Sequence, residues 1–208
     1  FYKDNLFLVS GTGEIKFIKE KDLSKVETEA ITIKSNLNEI IKDETFYDTS
    51  TNMLSQFNSI SDILVDENFI YLSYNRLLKE NCYTKSILRS KINFEFLEFN
   101  DFFFNKLECR TFDSDKRKFN GHQSGGRMVV IDRDSPHNFF NKSNNKILFS
   151  VGDYRSNRSN DNPLAQDEKS IFGKTILIDV DTKDYKIFSK GHRNPQGLFY
   201  DKNIQIII

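Results

Sequence analysis

The sequence has no tryptophan, two cysteines, two methionines and three prolines in 208 residues, and it has no excess of either charge: Lys+Arg and Asp+Glu total 30 each. Each shortage excludes something. A net charge of zero removes the electrostatic footprint of a nucleic-acid binder or of a protein held on an anionic membrane. No run approaches the roughly 20 apolar residues of a membrane-spanning helix. Cys82 and Cys109 are too few for a disulfide framework. Two unrelated buried thiols are the expected state, with a single bridge as the alternative. The chain begins at Phe1 without Met or a charged-then-apolar leader, and it stops inside the apolar run Ile204 to Ile208. Both ends therefore read as cut, and no leader indicates the compartment.

What is present is aromatic and strand-forming. Twenty Phe and eight Tyr suit strands more than loops, and a mean hydropathy of −0.56 is that of a soluble protein. One pattern recurs: apolar residues, an Asp, a short polar turn, then an alternating apolar run. It reads FYKDNLFLV at 1–9, DILVDENFIYLSY at 62–74, RMVVIDRD at 127–134 resuming as KILFSVGD at 146–153, and GLFYDKNIQIII at 197–208. The turn aspartates Asp4, Asp66, Asp132 and Asp201 are spaced 62, 66 and 69 residues apart. Period-2 alternation gives two strands per occurrence, with Asp or Asn closing the turn by local side-chain hydrogen bonds.

Further strands follow each pair: EIKFI after a Gly11-Thr12-Gly13 turn, YTKSILRSKI at 83–92, and GKTILIDVDTKDYKIF at 173–188, a hairpin turning at Asp181–Asp184. Three to four strands per repeat describe a propeller blade. The fold expected is all-β, about three blades of a six-bladed β-propeller. Residues 1–208 form one partial domain with repeats starting near 1, 60, 122 and 194. Polar loops at 34–59, 101–121 and 154–172 explain a period longer than that of common blades, and part of 36–46 suits a short helix. An evenly spaced β-sandwich is the alternative, but it does not predict the same Asp turn four times.

Blade geometry then gathers polar residues. The lead-in to one inner strand and the end of the antiparallel strand beside it lie on the same face. Residues 121–127 (GHQSGGR) and 191–197 (GHRNPQG) are such lead-ins, and Val151-Gly152-Asp153 is such an end. His122, Asp153, Arg193 and Asn194 should converge at one mouth of the channel: a base, a carboxylate to orient it, a fixed cation and an amide. His192, next to Arg193, should face the other way and be structural. His137, in SPHNFFNKSNN, and the run DSDKRK at 113–118 read as solvated loop.

At these residues the chain resembles the soluble glucose/sorbosone dehydrogenase family. GHQSGGR at 121–127, SVGD at 150–153, AQDEKSIFGKTILID at 165–179 and GHRNPQGL at 191–198 occur in the family's order. The resemblance is close over 121–200, loose over 60–92 and slight before that. It implies a six-bladed propeller that oxidises an aldose or alcohol with pyrroloquinoline quinone (PQQ), assisted by calcium whose ligands lie outside this chain. It implies an external electron acceptor and a periplasmic or extracellular location. By the same resemblance His122 is the general base, Asp153 the carboxylate orienting it, Arg193 the cation beside the quinone carbonyls and Asn194 a cofactor contact. Gln56 and Gln123 are candidate substrate contacts; Gln56 falls one place from the family's register, and Gly121 stands where some sugar oxidisers have Asp, which leaves sugar preference open. A non-catalytic propeller binding a protein or glycan is the competing function. A metal-dependent lactonase is a third, with only Asp153 and Asn194 to offer as ligands.

Overall fold

The computed structural model describes residues 2–24, 29–41, 47–48, 53–54, 60–111, 121, 123–155 and 164–208. Strands β1 (Asn5–Val9), β2 (Ile15–Lys19) and β3 (Ile31–Ser35) are followed by a one-turn helix α1 (Leu37–Ile40) and by a two-residue pair, β4 (Tyr47–Asp48) and β5 (Met53–Leu54). Then come β6 (Ile60–Asp66), β7 (Phe69–Lys79), β8 (Cys82–Lys91), β9 (Phe96–Leu97), β10 (Asn100–Phe104) and β11 (Arg110–Thr111). The remainder is β12 (Gly125–Ile131), β13 (Lys146–Val151), β14 (Lys174–Asp179), β15 (Tyr185–Lys190), β16 (Tyr200–Asp201) and β17 (Ile206–Ile207).

These make three sheets of four or five strands and a further pair, β16-β17. The sheet orders are β1-β2-β3-β9, β6-β7-β8-β10 with β11 also on β8, β12-β13-β14-β15, and β16-β17. The Asp turns behave as their chemistry requires. Asp66 ends β6 and pairs with Phe69 across the turn, and Asp201 Oδ1 accepts the amides of Asn203 and Ile204. At residue 4 the pattern yields only an isolated bridge between Tyr2 and Asn5.

Strand parity assembles the core. On β7, Ile70, Leu72 and Tyr74 face the first sheet and pack with Phe7, Ile15, Phe17 and Ile33. The alternate residue Tyr71 joins Tyr83, Ile87, Phe149, Ile176 and Ile178 in the seam between the second and third sheets. One step over on the third sheet, Leu148 and Leu177 pack with Ile131 and Tyr200 towards the last strand pair. The second and third sheets are thus apolar on both faces, and burying a large apolar side chain contributes about 1.5–3 kcal/mol. Successive sheets pack face to face in chain order, which is how propeller blades are held.

Three sequence expectations need correction. Cys82 and Cys109 form a disulfide, with sulfurs 2.08 Å apart. The pairing of β11 with Tyr83 and Cys82 on β8 brings Cys109 alongside, a placement that two isolated cysteines do not disclose. The stretch 101–121 is not all loop, because β10 supplies the outer strand of the second sheet and buries Phe102 and Phe103. His137 is half-buried rather than solvated: its Nε2 donates to the Gln205 carbonyl at 2.7 Å and its ring meets Phe188 and Tyr200 edge-on. A further feature went unread: β9 leaves its sequence neighbours and pairs parallel with β3, burying Leu97 and Phe99 under the first sheet.

Candidate functional site

Three turns at the ends of inner strands meet at one place. Val151 pairs with Gly125, so the end of β13 runs beside the start of β12. Gly152 N donates to Ser124 O at 2.9 Å and Tyr154 N to Gln123 O at 3.0 Å, locking residues 123–125 onto 151–154. The approach is so close that a Cβ on Gly152 would lie 2.0 Å from the Gln123 carbonyl oxygen. Asp153 N donates to Arg193 O at 2.9 Å, which brings in the third turn.

A bulge in β12 between Gly125 and Met128 turns two amides inward. Ser150 Oγ accepts both, from Gly126 N at 3.2 Å and Arg127 N at 2.9 Å, and donates to Pro195 O at 2.8 Å. One hydroxyl therefore ties two lead-ins together. Asp62 on β6 bridges to the next sheet, accepting from Met128 N at 2.8 Å and Arg127 Nη1 at 2.9 Å. Burial pushes its carboxyl above the usual range, and the Met128 amide and Arg127 oppose that rise.

The Arg193 turn is strapped from beneath. Gly191 N donates to Ala165 O and His192 N to Gly173 O, each at 2.9 Å. Lys174 Nζ donates to the carbonyls of Leu164, Ala165 and Phe172 at 2.8–3.0 Å and so closes the 164–172 loop. Gly173 has a positive φ of +70°, and a Cβ there would lie 2.6 Å from His192 O. Glu108 holds the same loop from outside, accepting from Ser170 Oγ and, at 2.9 Å, from Ile171 N.

The expected site residues are placed as follows. Asp153 is fully buried, and its Oδ1 accepts the Arg155 amide at 2.8 Å. Arg193 is exposed and reaches Gln123, Nε to Oε1, at 3.4 Å. Gln123 itself sits at a positive φ of 58°. Asn194 Oδ1 is buried and accepts no hydrogen bond from any described residue. His192 Nε2 instead lies 2.7 Å from Ser189 Oγ, away from Gln123, and burial with Lys174 nearby holds its pKa below the ordinary value. The structure therefore brings Gln123, Asp153, Arg193 and Asn194 together. His122, Gln56 and the DSDKRK run lie outside the described residues.

Beneath these turns is a polar group that motif reading missed. Lys85 on β8 is 0% exposed, with Nζ donating to Ser61 Oγ, to Asn75 Oδ1 at 3.1 Å and to Ser124 Oγ at 3.3 Å. Asn75 Oδ1 also accepts the Tyr154 hydroxyl at 2.8 Å. Desolvation pulls the Lys85 amine down to about 7, against the opposing charge of Asp62. The available signal was parity, because Lys85 shares its strand face with the core residues Tyr83 and Ile87. Among the described residues, no group of three or more His, Cys, Asp or Glu could hold a metal ion, and no helix is long and apolar enough to cross a membrane.

The meandering sheets and the mouth they frame define a segment of a β-propeller. The glucose / sorbosone dehydrogenase family profile matches residues 55–208, and the chain belongs to that family. No curated protein sequence matches it significantly. A solved glucose dehydrogenase superposes with a TM-score of 0.61 at 16% identity, covering 100% of this chain and 58% of its own. The soluble aldose sugar dehydrogenase of Escherichia coli, solved in the apo form, gives 0.60 at 14% identity, with 99% and 53% covered. A second glucose dehydrogenase gives 0.56 at 15%, with 98% and 55% covered. The chain thus spans little more than half the length of these solved structures, and at such identities the likeness speaks for the fold.

Proposed function

We propose that the protein is a PQQ-dependent dehydrogenase of an aldose or alcohol, acting with calcium and an external electron acceptor outside the cytoplasm. The observation that carries this reading is the cluster of Gln123, Asp153, Arg193 and Asn194 on three interlocked turns. Its residues suit an anionic, carbonyl-rich cofactor. Arg193 offers an exposed guanidinium, and Asn194 has a buried carbonyl oxygen with no donor among the described residues, fitting a ligand N–H or O–H. Arg193 and Asn194 would hold the quinone, which when bound supplies the two-electron acceptor.

The chain's own residues account for the proton and the orientation. An imidazole suits removal of a hydroxyl proton near neutral pH, and His122, next to Gln123 in the sequence, is assigned that proton at a ring nitrogen. Asp153 is assigned the carboxylate that stabilises the protonated ring. Its burial at 0% exposure strengthens such a pairing, because little water screens it. Asp153 N holds the Arg193 carbonyl, which keeps this residue in the cluster, and its guanidinium is assigned the stabilisation of developing oxyanion charge. Gln123 and Gln56 remain candidate sugar contacts. The Cys82–Cys109 bridge favours the periplasmic or extracellular location, since disulfides persist in oxidising compartments.

The test is dye-linked oxidation of a sugar and alcohol panel by the full-length protein reconstituted with PQQ and calcium. Turnover that requires added quinone, and that falls by about 10²–10⁴ in His122→Ala with an unchanged melting curve, is the expected result. Absence of turnover together with absence of quinone binding would replace this reading with that of a propeller binding a protein or glycan.

A further inference from the structure

We propose that Lys85 is a positioning residue: from the seam between the second and third sheets it fixes the two turns that carry Gln123 and Asp153, and so sets the geometry of the cluster they form with Arg193. The kinetic consequence rests on the dehydrogenase reading; the positioning itself does not.

A lysine ordinarily keeps its amine in water and buries only its stem. Here the whole side chain is buried, at the polar end of a seam whose remainder is apolar. Its acceptors come from separate elements: Ser61 on β6, Asn75 on β7 and Ser124 in the lead-in to β12. Two other buried lysines have local duties. Lys146 pairs with Asp179 at 3.1 Å on the neighbouring strand, and Lys174 caps the carbonyls of one loop. Lys85 differs because its contacts cross from one sheet to the next.

Those contacts reach both turns of the cluster. Through Ser124, Lys85 holds the residue whose carbonyl takes Gly152 N and which follows Gln123. Through Asn75 Oδ1 it holds the atom that also takes the Tyr154 hydroxyl, and Tyr154 follows Asp153. The route is made possible at Gly126, where φ is +111° and a Cβ would lie 2.5 Å from Lys85 Cε. Ser73 Oγ secures that glycine by donating to its carbonyl at 2.5 Å. The nearby charges are already engaged: Asp62 on β6 and Arg127 on β12 pair with each other at 2.9 Å.

The experiment is amide hydrogen exchange on full-length, quinone-free Lys85→Met, with a melting curve to establish folding. Exchange is expected to quicken about tenfold or more in peptides covering 121–126 and 150–155, and to stay unchanged across 174–190. Unchanged exchange in the two turns, or uniform acceleration everywhere, would overturn the proposal. If Lys85→Met does not fold, Ser124→Ala removes one acceptor with little disturbance. About threefold faster exchange at 121–126 is then expected, and no change refutes the idea. With quinone and sugar added, Lys85→Met should lower kcat about tenfold, and its effect should be less than additive with that of Tyr154→Phe. A parent protein lacking quinone-dependent turnover would end the dehydrogenase reading while leaving the exchange result to decide this one.

Discussion

Replacing Lys85 by methionine should change how stability depends on pH, by an amount the burial of the amine fixes. Desolvation holds that amine at about 7 in the folded protein, against 10.5 for an ordinary lysine. Between those two values the unfolded chain carries one more proton than the folded one. Stability from this group therefore rises with pH through the window, at about 1.4 kcal/mol per pH unit. The whole span amounts to about 5 kcal/mol. Below about 7 both states are protonated, so the penalty of the buried cation is complete and flat there. Methionine keeps the stem's bulk and cannot titrate. It also removes the donor that Ser61 and Ser124 share, while Asn75 Oδ1 keeps the Tyr154 hydroxyl, a cost of about 1–3 kcal/mol per group that acts as an offset. The observable is the difference in unfolding free energy, Lys85→Met minus parent, from urea titrations at pH 7.5, 8.5 and 9.5. Other titrating groups cancel in that difference, which should fall by about 3 kcal/mol over the range. A flat difference would mean that Lys85 keeps its proton when buried, and the desolvation argument would be wrong.

Removing the Cys82–Cys109 bridge as the double alanine variant should cost about 3–4 kcal/mol in urea unfolding, the loop-closure entropy for a separation of 27 residues; a loss below about 1 kcal/mol would mean that the arm bearing Glu108 stays put without it. Gly152→Ala should be destabilised by more than about 3 kcal/mol, because its Cβ would sit 2.0 Å from a backbone oxygen. A parent-like melting temperature would refute the tight docking of the 123 and 152 turns. Asn194→Ala should weaken quinone binding about tenfold in an absorbance titration, as befits one lost hydrogen bond to a buried acceptor; unchanged affinity would remove Asn194 from the cofactor site.

Much of the strand content was legible because two periods coincide. The alternation along 62–74 and 146–153 gave β6, β7 and β13, and Asp66 marked the turn where β6 meets β7. Parity went further than strand assignment, since it divided β7 between two seams. The outer strands were less readable. Residues 100–104 (NDFFF) lie in polar surroundings, and Phe102 and Phe103 are buried only because β8 stands beside them. The parallel docking of β9 on β3 depends on contacts more than 60 residues apart, such as Asn36 Nδ2 to Phe99 O at 3.0 Å. Cysteine spacing failed for the same reason, because a separation of 27 says nothing until β11 is placed on β8. At the site, turn geometry placed Asp153 and Arg193, which sit next to each other through a backbone bond. Lys85, Asn75 and Ser124 were invisible to motifs because their roles come from two sheets meeting.

The most specific stretches of the sequence turn out to do two different jobs. In AQDEKSIFGK and GHRNPQG, the residues Ala165, Gly173, Lys174, Gly191 and His192 build the strap: two backbone bonds, three lysine-to-carbonyl bonds and one glycine with no room for a side chain. Arg193 and Asn194 in these stretches take no part in the strap and are the residues proposed to face a ligand. A propeller that had lost its chemistry would still need the strap to hold its third blade, so retention of the glycines and Lys174 carries little weight for catalysis. The weight falls on groups the strap does not need: the exposed guanidinium of Arg193, the oxygen of Asn194 that has no donor among the described residues, and the buried carboxylate of Asp153. Burying a carboxylate is costly unless its interactions offset the desolvation, and one oxygen of Asp153 accepts the Arg155 amide at 2.8 Å. The proposal that this propeller is an enzyme rather than a scaffold therefore rests on Asp153, Arg193 and Asn194, and the quinone-dependent turnover assay tests them rather than the strap.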